Sequence, residues 1–493
     1  MLVLLAAVLI ASIVVDAVVR PRRSGIRRWS GLLFHGLTMT ATFGLCLAIS
    51  GNASVAGALA LALMALFMAA SNAKNAVLGE PLVFSDLALL SFVLRHPRFY
   101  FSAVPAWQRW VATIAALSAA LTFVRLSSLA LPQHLAGVAL LTLASGALWL
   151  LLHSGWARQL TPTPDLHCDV ARYGLLATLL LYWRRWRETG DPQPCPVISE
   201  TRLGAPELII VVQCESFADP IAITGDTSLR LPGLAAAQAI AWRWGDLAVS
   251  GFGAYTMRSE YAVLFGRSEE ALGFRRFDPF LTALRETSYS LSARLKGTGY
   301  RAIFAHPYDM RFYGRDRLMP AIGFDALVEQ NGFPPVPQGA RYVDDRALGR
   351  KLIELAQEEP GPLLIYAVTM ENHGPWEGEA ADGPEGRLET FLRRLRNSDE
   401  MLNDLIASLR SAGRPALLAF FGDHRPSIPG VVVPGEARHT PYILVRFDAE
   451  GRPVTGGTRA DLTPAEFHHA ILACVKQVDG NAIDQGTVVT TAS

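Results

Sequence analysis

The chain is poor in cysteine, carries no surplus of charge, and holds no internal repeat or low-complexity tract. Five cysteines among 493 residues make no disulfide framework. Cys46 falls in an apolar span, Cys214 in a strand-like run and Cys474 in a helix-like one. Only Cys168 and Cys195 lie in polar sequence, where an oxidising compartment would let them pair; two unrelated thiols fit equally well. With 45 basic and 44 acidic residues, no global field draws in a nucleic acid. The length allows two or three domains.

Long apolar runs are plentiful, and they are confined to the first third. Met1–Val19 and residues 30–50, 54–71, 110–131 and 135–153 each approach the roughly 20 residues needed to cross hydrocarbon. The basic stretch "RPRRSGIRR" follows the first run rather than preceding it, which argues against a signal peptide. Residues 1–155 are therefore expected to form a membrane domain of about five spans. Residues 156–205 read as a linker in which Gly174–Trp183, followed by "RRWRE", suits an interfacial helix. Residues 206–493, which hold most of the carboxylates, read as a separate soluble domain. The arginines at 20–28 should face the cytoplasm, and five spans would then leave that domain inside. An outside domain needs an even count, with Gly174–Trp183 or part of Pro81–Leu94 crossing.

After the linker "GDPQPCPV", strand-like runs recur at Glu207–Cys214, Tyr300–Ala305, Leu363–Val368, Ala416–Phe421 and Tyr442–Val445. Helix-like stretches at Asp278–Gly297, Asp345–Gln357 and Leu388–Ser411 separate them, so an α/β fold with a mostly parallel central sheet is expected. Polar groups follow these strands. Glu215 and Ser216 follow the first, His306 the second, Glu371, Asn372 and His373 the third, and Asp423 with His424 the fourth. Parallel strands share a carboxyl edge, so these groups can meet in one cleft. Carboxylate and imidazole together are ligand types for a divalent metal.

Such a site needs a nucleophile, and "SGFGAYTMRSE" offers Thr256 at a helix start. There the dipole and free N–H groups favour a phosphate, and a nearby cation would acidify the hydroxyl. The plain alternative makes Thr256 an N-cap.

Together "CESF", the Gly-rich loop before Thr256, "FYGRD" before "GFD", "ENHGPW", "FFGDH" and the membrane-proximal "GEPLVFSDL" resemble the lipoteichoic acid synthase group of phosphoglycerol transferases. That group lies within the alkaline phosphatase/sulfatase superfamily, and the resemblance covers about residues 206–450. It implies that Glu215, Thr256, Asp423 and His424 bind one divalent cation, Mn²⁺ before Mg²⁺ or Zn²⁺. It also implies that Thr256 attacks a lipid head-group phosphorus, with His373, Arg315 and His306 contacting substrate; apart from the resemblance, His439 in "ARHTPYILV" is placed to add a ligand or a substrate contact. The implied activity moves phosphoglycerol from phosphatidylglycerol, or another phospholipid, to a glycan hydroxyl. The implied location is the outer side of the cytoplasmic membrane, against the charge count. A phosphoethanolamine transferase, a sulfatase-like phosphodiesterase or hydrolase, and a non-catalytic membrane scaffold are the alternatives. No Cys-x-Pro-x-Arg element surrounds position 256, which counts against a formylglycine sulfatase. No confident set of second-metal ligands is present.

Overall fold

The computed structural model describes residues 1–22, 25–87, 110, 114, 118, 121, 123–198, 200–201, 204–376, 383–435 and 437–476. The chain divides into two compact units. The first holds Met1–Gly190 with Gly273–Phe277, and the second holds Asp191–Leu272 with Asp278–Ser493.

In the first unit the apolar runs are helices: α1 (Leu2–Ala17), α2 (Trp29–Ser50), α3 (Ala53–Leu78) and α4 (Leu131–Leu152). The last three are long and apolar enough to cross a membrane. With 16 residues, α1 reaches about 24 Å, short of a full hydrocarbon thickness. Residues 88–94 of the stretch Pro81–Leu94, and much of the first half of the expected span 110–131, lie outside the described residues. α2 and α4 touch backbone to backbone: a Cβ at Gly137 would collide with Ala48, and one at Gly44 with Leu141. Small residues at such crossings let membrane helices approach closely.

The arginine cluster behaves differently from a set of loop charges. Arg27 is buried; its Nε donates to Asp16 Oδ2 at 3.1 Å and its Nη1 to the Val170 and Ala171 carbonyls. Asp16 Oδ1 accepts from Leu175 N at 3.0 Å, at the start of α5 (Leu175–Glu188). One arginine of the cluster is thus a packing element. The first two turns of α5 are buried, and Tyr182 on it packs Phe274 and Phe277 at 5.0 and 5.4 Å. All five cysteines are free.

The second unit is built on β1 (Leu208–Cys214), β2 (Arg243–Ala248), β3 (Arg301–Ala305), β4 (Ala326–Val328), β5 (Leu363–Val368), β6 (Ala416–Gly422), β7 (His439–Phe447) and β8 (Thr458–Arg459). They form one sheet in the order β4-β3-β5-β1-β6-β7-β2-β8, parallel except where β7 runs against β6 and β2. Every residue of β1, β5 and β6 is buried, which explains their unbroken apolar runs. Leu208, Ile210 and Val212 face one core with α7 (Asp345–Glu358) and α8 (Pro384–Arg410); Ile209 and Val211 face the other, with α6 (Thr256–Phe265) and α9 (Pro464–Lys476).

The helix expected over Asp278–Gly297 is instead three short 3₁₀ turns followed by Leu291–Leu295. Its hydroxyls compete with the helical ladder: Thr282 bonds the Pro279 carbonyl, and Ser290 caps Ala293 N. Among the strands, β2, β4 and β8 have no apolar run to announce them.

Candidate active site

The carboxyl edge of the sheet releases Glu215 from β1, His306 from β3 and Asp423 with His424 from β6. β6 ends in Gly422, where a Cβ would collide with the Phe217 carbonyl oxygen, so this strand end must be glycine. Because β7 is antiparallel, its first residue, His439, falls on the same edge and pairs with Ala248 at the end of β2. β2 in turn delivers the Gly-rich loop and Thr256 to that edge. His439 is exposed.

Glu215, Asp423 and His424 are buried, and each offers a ligand atom within 4.8 Å of the others. Asp423 Oδ1 accepts from Ser216 N and His424 N, both at 2.8 Å. Its Oδ2 has no hydrogen bond among the described residues, and His424 Nε2 lies 3.6 Å away. His424 Nδ1 faces the Arg425 carbonyl at 3.2 Å, so it carries the proton and leaves Nε2 for the cluster. That Nε2 is 3.4 Å from Glu215 Oε1 and 3.4 Å from Thr256 Oγ1. A buried carboxylate oxygen without a donor, a second carboxylate and an imidazole nitrogen aimed at one point fit a divalent cation.

Thr256 is the first residue of α6, and the capping position is Tyr255, which makes no side-chain cap bond. The hydroxyl is therefore not spent on capping. Ser259, one turn on, anchors the helix by donating to the Asp423 carbonyl at 2.6 Å. Thr369 holds the other side, its Oγ1 accepting from Glu215 N at 3.0 Å. Ser216, Tyr255 and Tyr313 are the positive-φ non-glycine residues recorded among the described ones, at 54°, 77° and 59°. Each adjoins or lies two residues from Glu215, Thr256 or Arg315. Such conformations cost about 1–3 kcal/mol each and tend to cluster where a side chain must be aimed.

Arg315 is fully buried and makes a two-pronged pair with Glu260, which sits one helical turn after Thr256; its Nε reaches Glu260 Oε1 at 2.9 Å. Its Nη1 lies 3.2 Å from His306 Nε2, and His306 Nδ1 lies 3.0 Å from the Val368 carbonyl. Since guanidinium only donates and carbonyl only accepts, His306 is the neutral Nδ1–H tautomer. Burial, and then Arg315, push its pKa well below the ordinary value. His373 is half-buried, with Nδ1 2.7 Å from the Gly374 carbonyl, so Nδ1 carries a proton. The sequence offered no sign of Glu260, Ser259 or Thr369 as supports. Only the i, i+4 spacing of Thr256 and Glu260 hinted that they share a face.

Burial, and then the Glu215 charge, raise Asp423 from 3.8 to about 7. Burial opposes the charged form of His424, but Asp423 and Glu215 outweigh it and hold its pKa above the usual value. A ligand must shed its proton to bind, so protons compete with metal here. Metal affinity should fall as pH drops through about 7, and uptake at neutral pH should release protons. For the metal-free fold, a raised carboxyl pKa costs stability as pH rises from about 4 to 7 and no more beyond. Titration calorimetry in two buffers of different ionisation enthalpy measures the release; pH-independent affinity between 5.5 and 8 would refute it.

A doubly covered, mostly parallel sheet with a cation-type cluster and a hydroxyl at a helix start at its carboxyl edge defines an α/β enzyme of the phosphate- and sulfate-ester class. The sulfatase family profile matches residues 207–475. The chain belongs to the sulfatase family. The resemblance to the alkaline phosphatase/sulfatase superfamily read from the motifs therefore holds. Over 423 residues the chain is 28% identical to the capsular polysaccharide biosynthesis protein RkpI of Rhizobium meliloti, covering 81% of this chain and 78% of that protein. A second protein of that organism, named for cyclic beta-1,2-glucan modification, is 26% identical over 48% of this chain and 38% of its own length. Phosphoglycerol transferase I of Xanthomonas axonopodis pv. citri is 25% identical over 26% of this chain and 21% of its own length.

Proposed function

We propose that the chain is a membrane-anchored transferase that moves phosphoglycerol from phosphatidylglycerol to a glycan hydroxyl through a phosphothreonine at position 256. The observation that carries this reading is the Thr256 hydroxyl, uncommitted to capping and 3.4 Å from His424 Nε2 within the ligand cluster. The similarity to a phosphoglycerol transferase supports the donor, and the relatives named for polysaccharide and glucan support the acceptor.

Glu215, Asp423, His424 and Thr256 would hold one divalent ion, whose charge, when bound, favours the ionised hydroxyl and the developing phosphate charge. Thr256 Oγ1 attacks phosphorus, and the bond to the diacylglycerol oxygen breaks. The departing oxygen takes a proton from His373 Nε2. The glycan hydroxyl then gives a proton back to Nε2, attacks phosphorus and frees Thr256. Arg315 spends three of its five N–H groups on Glu260 and His306, which leaves two for phosphate oxygens. His306, fixed neutral, orients that guanidinium, and His439 lies at the rim toward substrate. The three long apolar helices keep the enzyme beside its lipid donor. The catalytic domain faces outward from the cytoplasmic membrane; activity confined to a cytoplasmic reporter fused after residue 205 would refute that orientation.

Incubation with phosphatidylglycerol and Mn²⁺, followed by mass spectrometry, should find the Thr256 peptide carrying phosphoglycerol. An ethanolamine phosphate adduct from phosphatidylethanolamine alone would move the reading to the sister transferases. Lipid cleavage with no adduct under rapid quench would move it to a hydrolase.

A further inference from the structure

Near the ligand cluster, this unit has a cavity of about 430 Å³, lined by Arg341, Tyr342, Asp344, Glu371, Arg393 and Arg394 among others. Its volume falls within the range of small-molecule sites. Tyr342 is 7% exposed, and its hydroxyl has no hydrogen-bond partner among the described residues. A buried hydroxyl without a partner is unfavourable, and a bound ligand that accepts from it removes that penalty.

The cavity adjoins the reaction centre. The Tyr342 ring lies 6.0 Å from His373 and 5.9 Å from Tyr308, and the Glu215 charge is close enough to act on its phenol. Arg394 binds the cavity wall to the His373 segment, its Nη1 donating to the Glu371 and His373 carbonyls at 2.9 and 3.2 Å. Arg341 is exposed, and its guanidinium lies 5.1 Å from the Tyr342 ring centroid.

The lining discriminates between occupants. Arg341 and the Tyr342 phenol offer donors, while the Asp344 and Glu371 carboxylates, which already accept from Ala347 N at 2.8 Å and Asp345 N at 2.7 Å, keep further lone pairs as acceptors. Three guanidinium groups against two carboxylates leave the lining a surplus of positive charge, but a phosphate dianion only accepts and so leaves the two carboxylates unanswered. A sugar ring answers both signs, because every hydroxyl donates and accepts. We propose that this cavity is the acceptor subsite and holds a neutral sugar ring of the glycan, with Tyr342 and Arg341 donating to its hydroxyls. This assignment rests on the transferase reading above and names where its second substrate docks.

The test is binding rather than turnover, with no lipid donor present. Full-length chain in detergent is titrated with a neutral glucooligosaccharide and, separately, with glycerol phosphate. Tyr342→Phe removes one oxygen and keeps the packing; Arg341→Ala changes an exposed side chain. Each should weaken glucooligosaccharide binding about three- to tenfold, the loss of one hydrogen bond, and leave glycerol phosphate binding within twofold. Unaltered sugar binding in both variants would overturn the assignment, as would a loss confined to glycerol phosphate. A wild-type chain that binds no sugar would also overturn it, yet phosphoglycerol on Thr256 would still stand, so the two failures are distinguishable.

Discussion

Thr256→Ala is expected to abolish transfer, with diacylglycerol release from labelled phosphatidylglycerol down by about 10⁴-fold or more and no adduct on the peptide. The size of the effect follows from the role. Removing a covalent nucleophile removes the intermediate itself, whereas trimming a group that stabilises charge weakens one interaction. The fold should survive. Tyr255 holds the capping position of α6, so no cap is lost, and one hydroxyl and one methyl at a cleft cost little. Bound metal is the control to measure in parallel. Asp423→Ala should lose the metal, because it deletes the buried oxygen that has no hydrogen bond among the described residues. Near-normal turnover in Thr256→Ala would mean that water or another residue attacks phosphorus.

The second large effect is on stability, and it comes from the pair behind Thr256. Glu260 and Arg315 are both buried almost completely and meet fork to fork. Removing one partner of such a pair strands the other charge and costs about 3–5 kcal/mol. Glu260→Ala and Arg315→Ala should each lower the unfolding transition of the catalytic unit accordingly. A paired Glu260→Leu, Arg315→Met variant should recover most of the loss, since an apolar pair of similar volume carries no desolvation cost. If either single change leaves thermal unfolding where it was, the pair is not the uncompensated charge system described. The double variant also isolates chemistry from folding. With the fold restored, the missing guanidinium should still slow turnover by about 10²–10³, the worth of one electrostatic contact to the transition state. Wild-type-like turnover there would relieve Arg315 of any role at the phosphate. Arg315→Ala alone cannot separate the two effects, because it also leaves Glu260 stranded.

Much of this was legible from local pattern. The fully buried strands β1, β5 and β6 declare themselves as apolar runs because both faces are covered, and their ends mark Glu215 and the Asp423-His424 pair. The helices α7 and α8 were legible from their period, and α2, α3 and α4 from their length and apolarity. These are properties of short windows, which a sequence carries in full. What a window cannot carry is the partner of a side chain. Arg315 reads as a surface charge ready for phosphate, and only the fold brings Glu260, 55 residues away, onto it. Arg27 reads as a topological signal until Asp16 and two carbonyls more than 140 residues away claim it. β2 hides because its neighbours, not its composition, make it a strand, and with it hides the reason Thr256 reaches the edge at all. The frame of Thr256 was likewise a tertiary matter. A threonine before a helix is a cap by propensity, and the left-handed turn at Tyr255 shifts the helix start by one residue and leaves the Thr256 hydroxyl uncommitted to capping.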